Sequence, residues 1–286
     1  MSYNIHMAGR DDPRTLFQID RLYAWKQGKN FSPSTVEISP TSVCNQKCGY
    51  CYAWKEGQNH TFLRDDILLG CFDQLADAGV GGVVIQGTGE PLLHKALPEA
   101  IKRGAARNIP IQLTTNGVLL NAEVQDAILP HLFSMRISVL DSKPEMYARQ
   151  HGCNEKQWHT LVANIERALA IRTQSNLGFS VWATVYLHDD NFEALYDSVR
   201  FCKELGIDFV YVSEALYTSY SPSGVKPYAS TLYPNIEAEI EAVYAKINSL
   251  VDDTFFVKIK LQAKEYIFSG GGKETWVNDY CQGIKF

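Results

Sequence analysis

A repeated alternation between short apolar runs and amphipathic stretches constrains the fold of this chain more than any other feature. Six runs are rich in Val, Ile and Phe: Thr35–Pro40, Gly82–Gly87, Ile109–Thr114, Met135–Leu140, Gly178–Leu187 and Asp208–Ser213. Helical patterns follow them near residues 63–79, 95–107, 121–129, 155–173, 191–205 and 235–250. Nearly continuous hydrophobicity in the short runs is typical of parallel strands that are covered by helices. The pattern therefore predicts an α/β fold.

Successive strand–helix units imply one parallel sheet with right-handed crossovers. Such a sheet is either doubly wound or curled into a whole or partial barrel, and both forms bind ligands at the carboxyl ends of their strands. The polar sequences "GTGEP", "TTNG" and "HDDN" follow the second, third and fifth runs. We expect a core over residues 35–215, an N-terminal extension over 1–34, and a substrate loop, a helix and a C-terminal extension over 216–286.

Composition narrows the class of function. The 286 residues have a formal net charge of −5 and no basic cluster, so the chain is a poor partner for a nucleic-acid backbone. No apolar run is long enough to span a membrane, and the polar N-terminus does not resemble a secretory signal. We therefore expect a cytoplasmic protein. In a reducing compartment, seven cysteines indicate metal ligands or free thiols rather than disulfides.

Three cysteines, Cys44, Cys48 and Cys51, lie within "SPTSVCNQKCGYCYAW". Thiolates bind soft metals. Structural zinc usually takes four protein ligands, so three cysteines without a nearby fourth ligand fit zinc poorly. An iron–sulfur cube also takes four ligands. Three thiolates would leave one iron open to a ligand from outside the protein.

The spacing Cys44-x3-Cys48-x2-Cys51, with Tyr50 before the last cysteine, resembles the signature of radical S-adenosylmethionine (radical SAM) enzymes. The resemblance implies a partial (β/α)6 TIM-like barrel of parallel strands, with the cysteines on the loop after the first strand. It also implies a 4Fe-4S cluster whose open iron is chelated by the amino and carboxylate groups of SAM. Reductive cleavage of SAM then gives methionine and a 5′-deoxyadenosyl radical, which abstracts a hydrogen atom from substrate.

The segment "QGTGEPLL" is similar to the glycine-glycine-glutamate motif of that family. Thr88, Gly89 and Glu90 match the motif, with Thr88 in place of the usual first glycine. A glycine backbone permits close approach of the SAM amino group, and a glutamate accepts hydrogen bonds from it. A dinucleotide-binding fingerprint is the alternative, but Pro91 and Leu92 do not continue its glycine pattern.

Later segments extend the resemblance over residues 35–213. Ser138, in "RISVLDS", matches a serine whose hydroxyl contacts SAM in the family. Arg149 is a candidate partner for the SAM carboxylate because guanidinium binds carboxylate through a bidentate fork. A solvated helical arginine would give the same sequence. Tyr50 and Tyr52 are expected near the adenine, although tyrosines packed in a loop would look the same.

Of the other cysteines, Cys71 and Cys202 lie in apolar helical patterns and are expected to be buried, whereas Cys153 is expected in a loop. Cys281, in "DYCQGIKF", resembles the opening of a SPASM or twitch extension, which binds auxiliary clusters in many radical SAM enzymes. The further cysteines of that extension do not follow. A vestigial tail, a truncated chain, and a cysteine that acts alone as a hydrogen-atom donor remain as alternatives, with Cys153 a weaker candidate for that last role.

Candidate substrate-binding residues follow from their positions at the strand ends. Glu37 and Ser39 alternate onto one side of the first strand. A glutamate in a buried strand is costly unless it binds a ligand or a cation. The full set of candidates is Glu37, Ser39, Gln86, His188, Asp189, Glu214 and Tyr217.

The polar candidates favour a small metabolite, such as a sugar, nucleoside or aminoglycoside, or a peptide. An external electron donor such as flavodoxin or ferredoxin is expected. Three other functions remain open: a radical SAM epimerase that uses Cys281, an RNA-modifying radical SAM enzyme, and a non-catalytic iron–sulfur or zinc sensor. The acidic composition disfavours the RNA enzyme, and a sensor has no use for a SAM site.

Overall fold

The computed structural model describes residues 19–29, 31–51, 60–138, 141–187, 194–214 and 236–260. Within these ranges seven strands pair in chain order in one all-parallel sheet. The strands are β1 Val36–Ile38, β2 Val83–Ile85, β3 Ile111–Thr115, β4 Ser134–Ile137, β5 Ser180–Leu187, β6 Phe209–Glu214 and β7 Phe256–Lys260. The helices are α1 Ile19–Lys26, α2 Asp65–Asp77, α3 Leu97–Ala106, α4 Ala122–Ile128, α5 Pro144–His151, α6 Glu155–Gln174, α7 Leu195–Glu204 and α8 Ile236–Asn248. Because β1 and β7 are the two edges, the sheet is open, as a partial barrel requires.

The two faces of the sheet have opposite chemical character. One row in register across five strands is apolar and at least nine-tenths buried: Ile38, Ile85, Leu113, Met135 and Val181. The alternate positions form the inner face and are largely polar: Glu37, Gln86, Thr114, Arg136 and Thr184. Side chains alternate between faces with a period of two, so each strand sends its apolar positions toward the helices. The inner face is left to bind polar ligands.

The helices bury narrow apolar stripes against the outer face. In α6 the buried positions are Leu161, Ile165, Ala168 and Leu169, a spacing that places them on one side of a helix. Glycines follow the ends of α2 and α7 in "LADAGVGG" and "CKELGIDFV", where Gly79 and Gly206 have left-handed φ of 70° and 86°. None of the described helices is both long and apolar enough to cross a bilayer.

Two elements differ from the pattern that the sequence predicts. Helix α5 was not anticipated, although Pro144 at its first position and the left-handed Gly152 after it are ordinary boundaries of a helix. The strand-like "FFVKIKL" forms β7 and pairs in parallel with β6. Helix α8 and β7 thus add a seventh parallel strand beyond the six predicted. A long segment separates β6 from α8 in the sequence, so α8 and β7 were not recognised as one more repeat of the strand–helix pattern.

Candidate active site

The chain that leaves β1 forms a loop, residues 43–51, which we call the cysteine loop. The backbone N–H of Lys47 donates to the carbonyl of His151 at 3.0 Å, and the N–H of Gly49 donates to the carbonyl of Gln150 at 2.9 Å. Carbonyls in the last turn of a helix have no partner within the helix. The C-terminus of α5 therefore holds the cysteine loop through main-chain hydrogen bonds.

The thiols of Cys44, Cys48 and Cys51 are half-buried and line one cavity of about 350 Å³. Burial raises the pKa of the Cys44 thiol, and it raises the pKa of Cys48 to about 12. These two thiols therefore keep their protons until a metal displaces them. Among the described residues, no three Cys, His, Asp or Glu side chains are placed to hold a single metal ion. A cubane cluster binds each thiolate at a different iron, so it does not require the thiols to converge on one point.

The end of β2 approaches the cysteine loop so closely that position 89 has no room for a side chain. A Cβ on Gly89 would overlap the carbonyl groups of Thr41 and Val43. The next N–H, that of Glu90, donates to the Val43 carbonyl at 2.8 Å. Thr88 is exposed and lines the cavity. Gly89 is thus needed for packing against the cysteine loop, in addition to the predicted approach of SAM.

The carboxylate of Glu90 is 2% exposed and is bonded on both oxygens. Oε1 accepts from the Thr115 hydroxyl at 2.6 Å and from the Leu92 N–H at 3.1 Å, and Oε2 accepts from the Asn116 N–H at 2.8 Å. Burial raises the pKa of Glu90 despite these three bonds. A carboxylate oxygen accepts two hydrogen bonds, so Oε2 can accept one more. Glu90 also lines the cavity, where an ammonium group can donate that bond.

The turn that follows β3, in "TTNG", ties that strand to the cysteine loop. Gly117 has a φ of 74°, and its N–H donates to the Thr115 hydroxyl at 3.0 Å. Asn116 donates from Nδ2 to Oδ1 of Asn45 at 2.7 Å. Asn45 lies directly after Cys44, so this bond fixes the start of the cysteine motif from the side of β3.

Ser138 and Arg149, both predicted as SAM contacts, lie in different surroundings. Ser138 follows β4, is half-buried and lines the cavity, and its N–H donates to the Thr115 carbonyl at 2.9 Å. Arg149 is exposed on α5 and does not line the cavity. The structure therefore brings Ser138 to the cysteines and leaves the proposed role of Arg149 a prediction.

Tyr50 forms part of the cavity wall. Its ring lies 4.8 Å from the ring of Tyr186 between centroids and meets the edge of His151 at 5.9 Å. Burial raises the pKa of the Tyr50 hydroxyl, so the group stays neutral at ordinary pH. Tyr52 lies outside the described residues.

A buried polar network beneath the cysteine loop was not anticipated. Gln46 donates from Nε2 to the Tyr147 hydroxyl at 2.9 Å and to Oε1 of Gln157 at 3.0 Å. Its Oε1 lies 2.7 Å from Nδ1 of His151 and can only accept, so Nδ1 carries the proton. The same Nδ1 lies 3.4 Å from the sulfur of Cys48. The boundaries of α5 were the sequence signal that would have placed Tyr147 and His151 on one helix.

The candidates on the first two strands are only partly brought together. Glu37 and Gln86 line the cavity. Ser39 does not line the cavity with Glu37, because its side chain packs against Gly87. The expectation that Glu37 is buried is wrong, because β1 is an edge strand and the side chain is exposed. Glu37 therefore escapes the cost of desolvation.

Several predicted residues cannot be placed. His188, Asp189, Tyr217 and Cys281 lie outside the described residues, and β6 ends at Glu214, whose side chain is not described. Their roles stay predictions.

Two further wall residues were missed by the sequence interpretation. Arg136 and Thr184 both line the cavity, and Nε of Arg136 donates to the Thr184 hydroxyl at 2.8 Å. The Arg136 guanidinium lies 5.6 Å from the centroid of the Tyr211 ring. Polar and apolar positions alternate along the two strands that hold these residues. That alternation in the sequence would have placed both side chains on the inner face of the sheet.

The three described cysteines outside the motif, Cys71, Cys153 and Cys202, do not line the cavity. Cys202 is fully buried, as predicted, and Cys71 is half-buried against the core. Cys153 follows α5 and is also half-buried, with its sulfur 3.9 Å from Nε2 of Gln46. Burial raises the pKa of Cys153 to about 11, so it is not a ready nucleophile.

The donor set fits a cluster and SAM together. Three soft thiols lie on one loop, a carboxylate with spare acceptor capacity lies at the end of β2, and a hydroxyl follows β4. A mononuclear zinc site would need four protein ligands around one ion, and no three of the described Cys, His, Asp or Glu side chains converge in that way. The cavity therefore offers three protein ligands to a cluster, together with polar groups for a chelator from outside the protein.

Several curated relatives of the chain bear the name GTP 3′,8-cyclase. The chain is 26% identical over 250 residues to a protein from Methanococcus aeolicus named "Probable GTP 3′,8-cyclase", covering 82% of this chain and 74% of that one. A protein of the same name from Methanocaldococcus jannaschii is 28% identical over 200 residues, covering 66% and 64%.

Solved structures share the fold. Streptococcus suis SuiB bound to S-adenosylmethionine matches with a TM-score of 0.65 at 16% identity, over 90% of this chain and 57% of that chain. Native anSMEcpe with bound AdoMet and Cp18Cys peptide matches with a TM-score of 0.51 at 21% identity, over 67% and 54%. This chain thus spans little more than half of either structure, and the likeness is one of fold.

A family model gives the most direct assignment. The model described as the radical SAM superfamily matches residues 38–202, which is more than half of the chain. The matched range runs from β1 into α7 and includes the cysteine loop, Gly89, Glu90 and Ser138. This chain belongs to the radical SAM superfamily.

Proposed function

We propose that this enzyme holds its 4Fe-4S cluster on Cys44, Cys48 and Cys51 and binds SAM between that cluster, Glu90 and Ser138. It uses the pair to abstract a hydrogen atom from a polar substrate. The outcome of the reaction, whether oxidation, epimerisation, elimination or group transfer, follows from the substrate.

One observation carries the proposal. The three thiols, Glu90 and Ser138 come from the ends of three different strands and line the same cavity. A scaffold that only held a metal would need the thiols and no adjacent buried carboxylate. The convergence of all five supports a site for a cluster and for its chelating cosubstrate.

The chain's own groups have distinct tasks. When bound, the cluster supplies the electron that cleaves SAM to methionine and a 5′-deoxyadenosyl radical. Oε2 of Glu90 accepts a hydrogen bond from the SAM ammonium, and the Ser138 hydroxyl binds a polar group of SAM. The aromatic wall at Tyr50 and Tyr186 excludes water from the reacting face. An external donor such as flavodoxin or ferredoxin would reduce the cluster again after it has given up that electron.

The inner face favours a polar substrate. Its side chains in the cavity include Gln86, Thr114, Arg136 and Thr184, all of which form hydrogen bonds. The curated relatives bear the name GTP 3′,8-cyclase, so GTP is the first trial substrate. SuiB has been solved with the precursor peptide SuiA, so a peptide is the second.

The first experiment is anaerobic. The protein is reconstituted with iron and sulfide, given SAM and dithionite, and assayed for 5′-deoxyadenosine by mass spectrometry. Cys48→Ala should abolish the product, whereas Cys71→Ala, which removes a thiol outside the cavity, should not. A protein that binds iron and SAM yet never cleaves SAM, even with GTP or peptide present, would refute the proposal.

A second experiment identifies the substrate. Trial compounds carrying deuterium are added, and transfer of the label into 5′-deoxyadenosine is measured. Transfer from GTP would assign a nucleotide substrate, and transfer from a peptide would assign a peptide. If 5′-deoxyadenosine carries no deuterium with either the labelled GTP or the labelled peptide, other polar metabolites would be tried next.

A further inference from the structure

Arg136, on the inner face of β4, is a half-buried charged group that lines the cavity. It lies two residues before Ser138, and residues two apart in a strand line the same face. At the rise of a strand, this places Arg136 about 7 Å below Ser138 along β4. A molecule bound to the guanidinium therefore lies beneath the proposed SAM position, which means closer to the amino ends of the strands.

Arg136 differs from other arginines of the structure in having no carboxylate partner. Six described arginines form ion pairs with aspartates: Arg64, Arg103, Arg107, Arg167, Arg172 and Arg200. Of the described groups around Arg136, Thr184 receives only its Nε, and Tyr211 lies against its flat face. The two terminal nitrogens have no hydrogen-bond acceptor within the described residues. A half-buried guanidinium in this state is costly unless a ligand supplies the anion.

The carboxylates that line the cavity do not serve this purpose. Glu90 is bonded to Thr115, Leu92 and Asn116 at the junction of β2 and β3. Glu37 is exposed on β1, three strands away, and forms no ion pair with Arg136. No carboxylate of the described cavity lining therefore neutralises Arg136.

The contacts also orient the guanidinium. Nε is held by the Thr184 hydroxyl, and the ring of Tyr211 covers one face at 5.6 Å. Both restraints reduce the rotamer freedom that ligand binding would otherwise remove. The fork of terminal nitrogens matches two oxygens of a carboxylate or a phosphate.

We propose that Arg136 is a specificity-determining residue that binds an oxyanion, carboxylate or phosphate, of the substrate itself. This inference rests on the proposed function, because it places the substrate beneath SAM. Neutral sugars and unmodified aminoglycosides are then excluded as substrates. Nucleotides, phosphorylated metabolites and peptides with an acidic side chain remain.

The test measures oxyanion binding to the reconstituted, SAM-loaded protein by equilibrium dialysis. The probes are inorganic pyrophosphate and succinate, with succinamide as the uncharged analogue of succinate. We expect one probe to bind at one site per chain, and its identity assigns phosphate or carboxylate. Succinamide should not bind.

The variants separate a specific site from general electrostatics. Arg136→Met should weaken binding of the probe by about tenfold or more, and Arg136→Lys by less, because lysine keeps the charge and loses the fork. Arg136→Gln keeps a hydrogen-bonding group toward Thr184 and serves if the Met variant does not fold. Lys258→Met is the matched control, since it removes one positive charge from the same sheet face outside the cavity.

Three outcomes would overturn the inference: no binding of either probe to the wild-type protein, equal binding to wild type and Arg136→Met, or a matching loss of SAM affinity in Arg136→Met. The last would assign the guanidinium to the SAM carboxylate. Formation of 5′-deoxyadenosine by the wild-type protein is measured in parallel. Its absence would refute the proposed function, and the binding result would still judge Arg136.

Discussion

Glu90 combines two roles that make opposite demands on one carboxyl group. Its oxygens join the end of β2 to the end of β3 through three hydrogen bonds, and we propose that it also accepts a hydrogen bond from SAM in the cavity. Burial raises its pKa above the ordinary value of 4.5. Ionisation is therefore penalised in the folded protein, yet binding of an ammonium requires it.

Glu90→Gln should reduce SAM affinity by about tenfold or more, because a charged acceptor is lost and an amide N–H faces the Asn116 N–H. Wild-type affinity should fall as the pH is lowered through the raised pKa, at a higher pH than for an exposed glutamate. The variant should lack this pH dependence. Dialysis of labelled SAM at several pH values measures both effects.

The matched control is Glu37→Gln, an exposed carboxylate in the same cavity, which should leave SAM affinity unchanged. Equal SAM affinity in both variants would remove Glu90 from the SAM site.

The stability of the protein should change with pH in the opposite direction to its affinity for SAM. Ionisation of Glu90 should lower the free energy of unfolding as the pH rises from 4.5 to the raised pKa of this group.

Gly89 tests how closely β2 and the cysteine loop must approach. Gly89→Ala places a methyl group against the Thr41 and Val43 carbonyls, which should cost about 1–3 kcal/mol in unfolding free energy and displace the loop. Iron content after reconstitution should fall. Gly70→Ala, in open space on α2, should keep full iron content and gain up to about 1 kcal/mol. Full iron loading and unchanged stability in Gly89→Ala would contradict the packing seen here.

At the scale of elements, sequence reasoning succeeded where a pattern was local and periodic. Strands and helices of the repeat were predicted within a few residues, because hydrophobic period and glycine stops are written along the chain. Helix α5 was missed because its eight residues are mostly polar and its partner is the cysteine loop, about a hundred residues earlier. The network of Gln46, Tyr147 and His151 depends on that contact. Arg136 was missed because the feature that distinguishes it is the lack of a carboxylate partner among the described residues, and only the folded structure shows which groups surround it.

Arg172 and Asp208 join three elements at the amino edge of the sheet. Their ion pair links the end of α6 to the start of β6, and Asp208 also accepts from the Val181 N–H of β5 at 2.7 Å. Asp208→Asn should lower the free energy of unfolding by about 1–3 kcal/mol, because a partly buried charged hydrogen bond is lost. Urea denaturation measures the change.

The control for this pair is Asp126→Asn, which removes the aspartate of the more exposed ion pair with Arg167. Exposed pairs contribute little, so the expected change is below about 0.5 kcal/mol. Similar losses in the two variants would mean that the bond to Val181 adds nothing.

At the scale of the whole molecule, β7 makes the C-terminal part of the chain a member of the sheet. Phe255, directly before β7, is 2% exposed and belongs to the same core cluster as Ile38 and Leu113. The sheet therefore has one continuous apolar layer from β1 to the segment that precedes β7. A single cooperative unfolding transition is the physical expectation.

Phe255→Ala should lower the stability of the whole protein by about 3–5 kcal/mol and keep one transition. Circular dichroism and tryptophan fluorescence should give the same midpoint. Phe133→Ala, whose side chain is 61% exposed, should change stability by about 0.5 kcal/mol or less. A separate early transition in Phe255→Ala would show that the C-terminal segment unfolds independently of the sheet.

The cysteine loop is held by main-chain and side-chain bonds that involve no metal, from β2, from β3 and from α5. Many small metalloproteins unfold when their metal is removed. Because these bonds come from the protein itself, we expect the loop to hold its three cysteines in place before a cluster is inserted and after one is lost to oxygen. A molecule whose cluster has been oxidised would then recover on addition of iron, sulfide and reductant, without being unfolded and refolded.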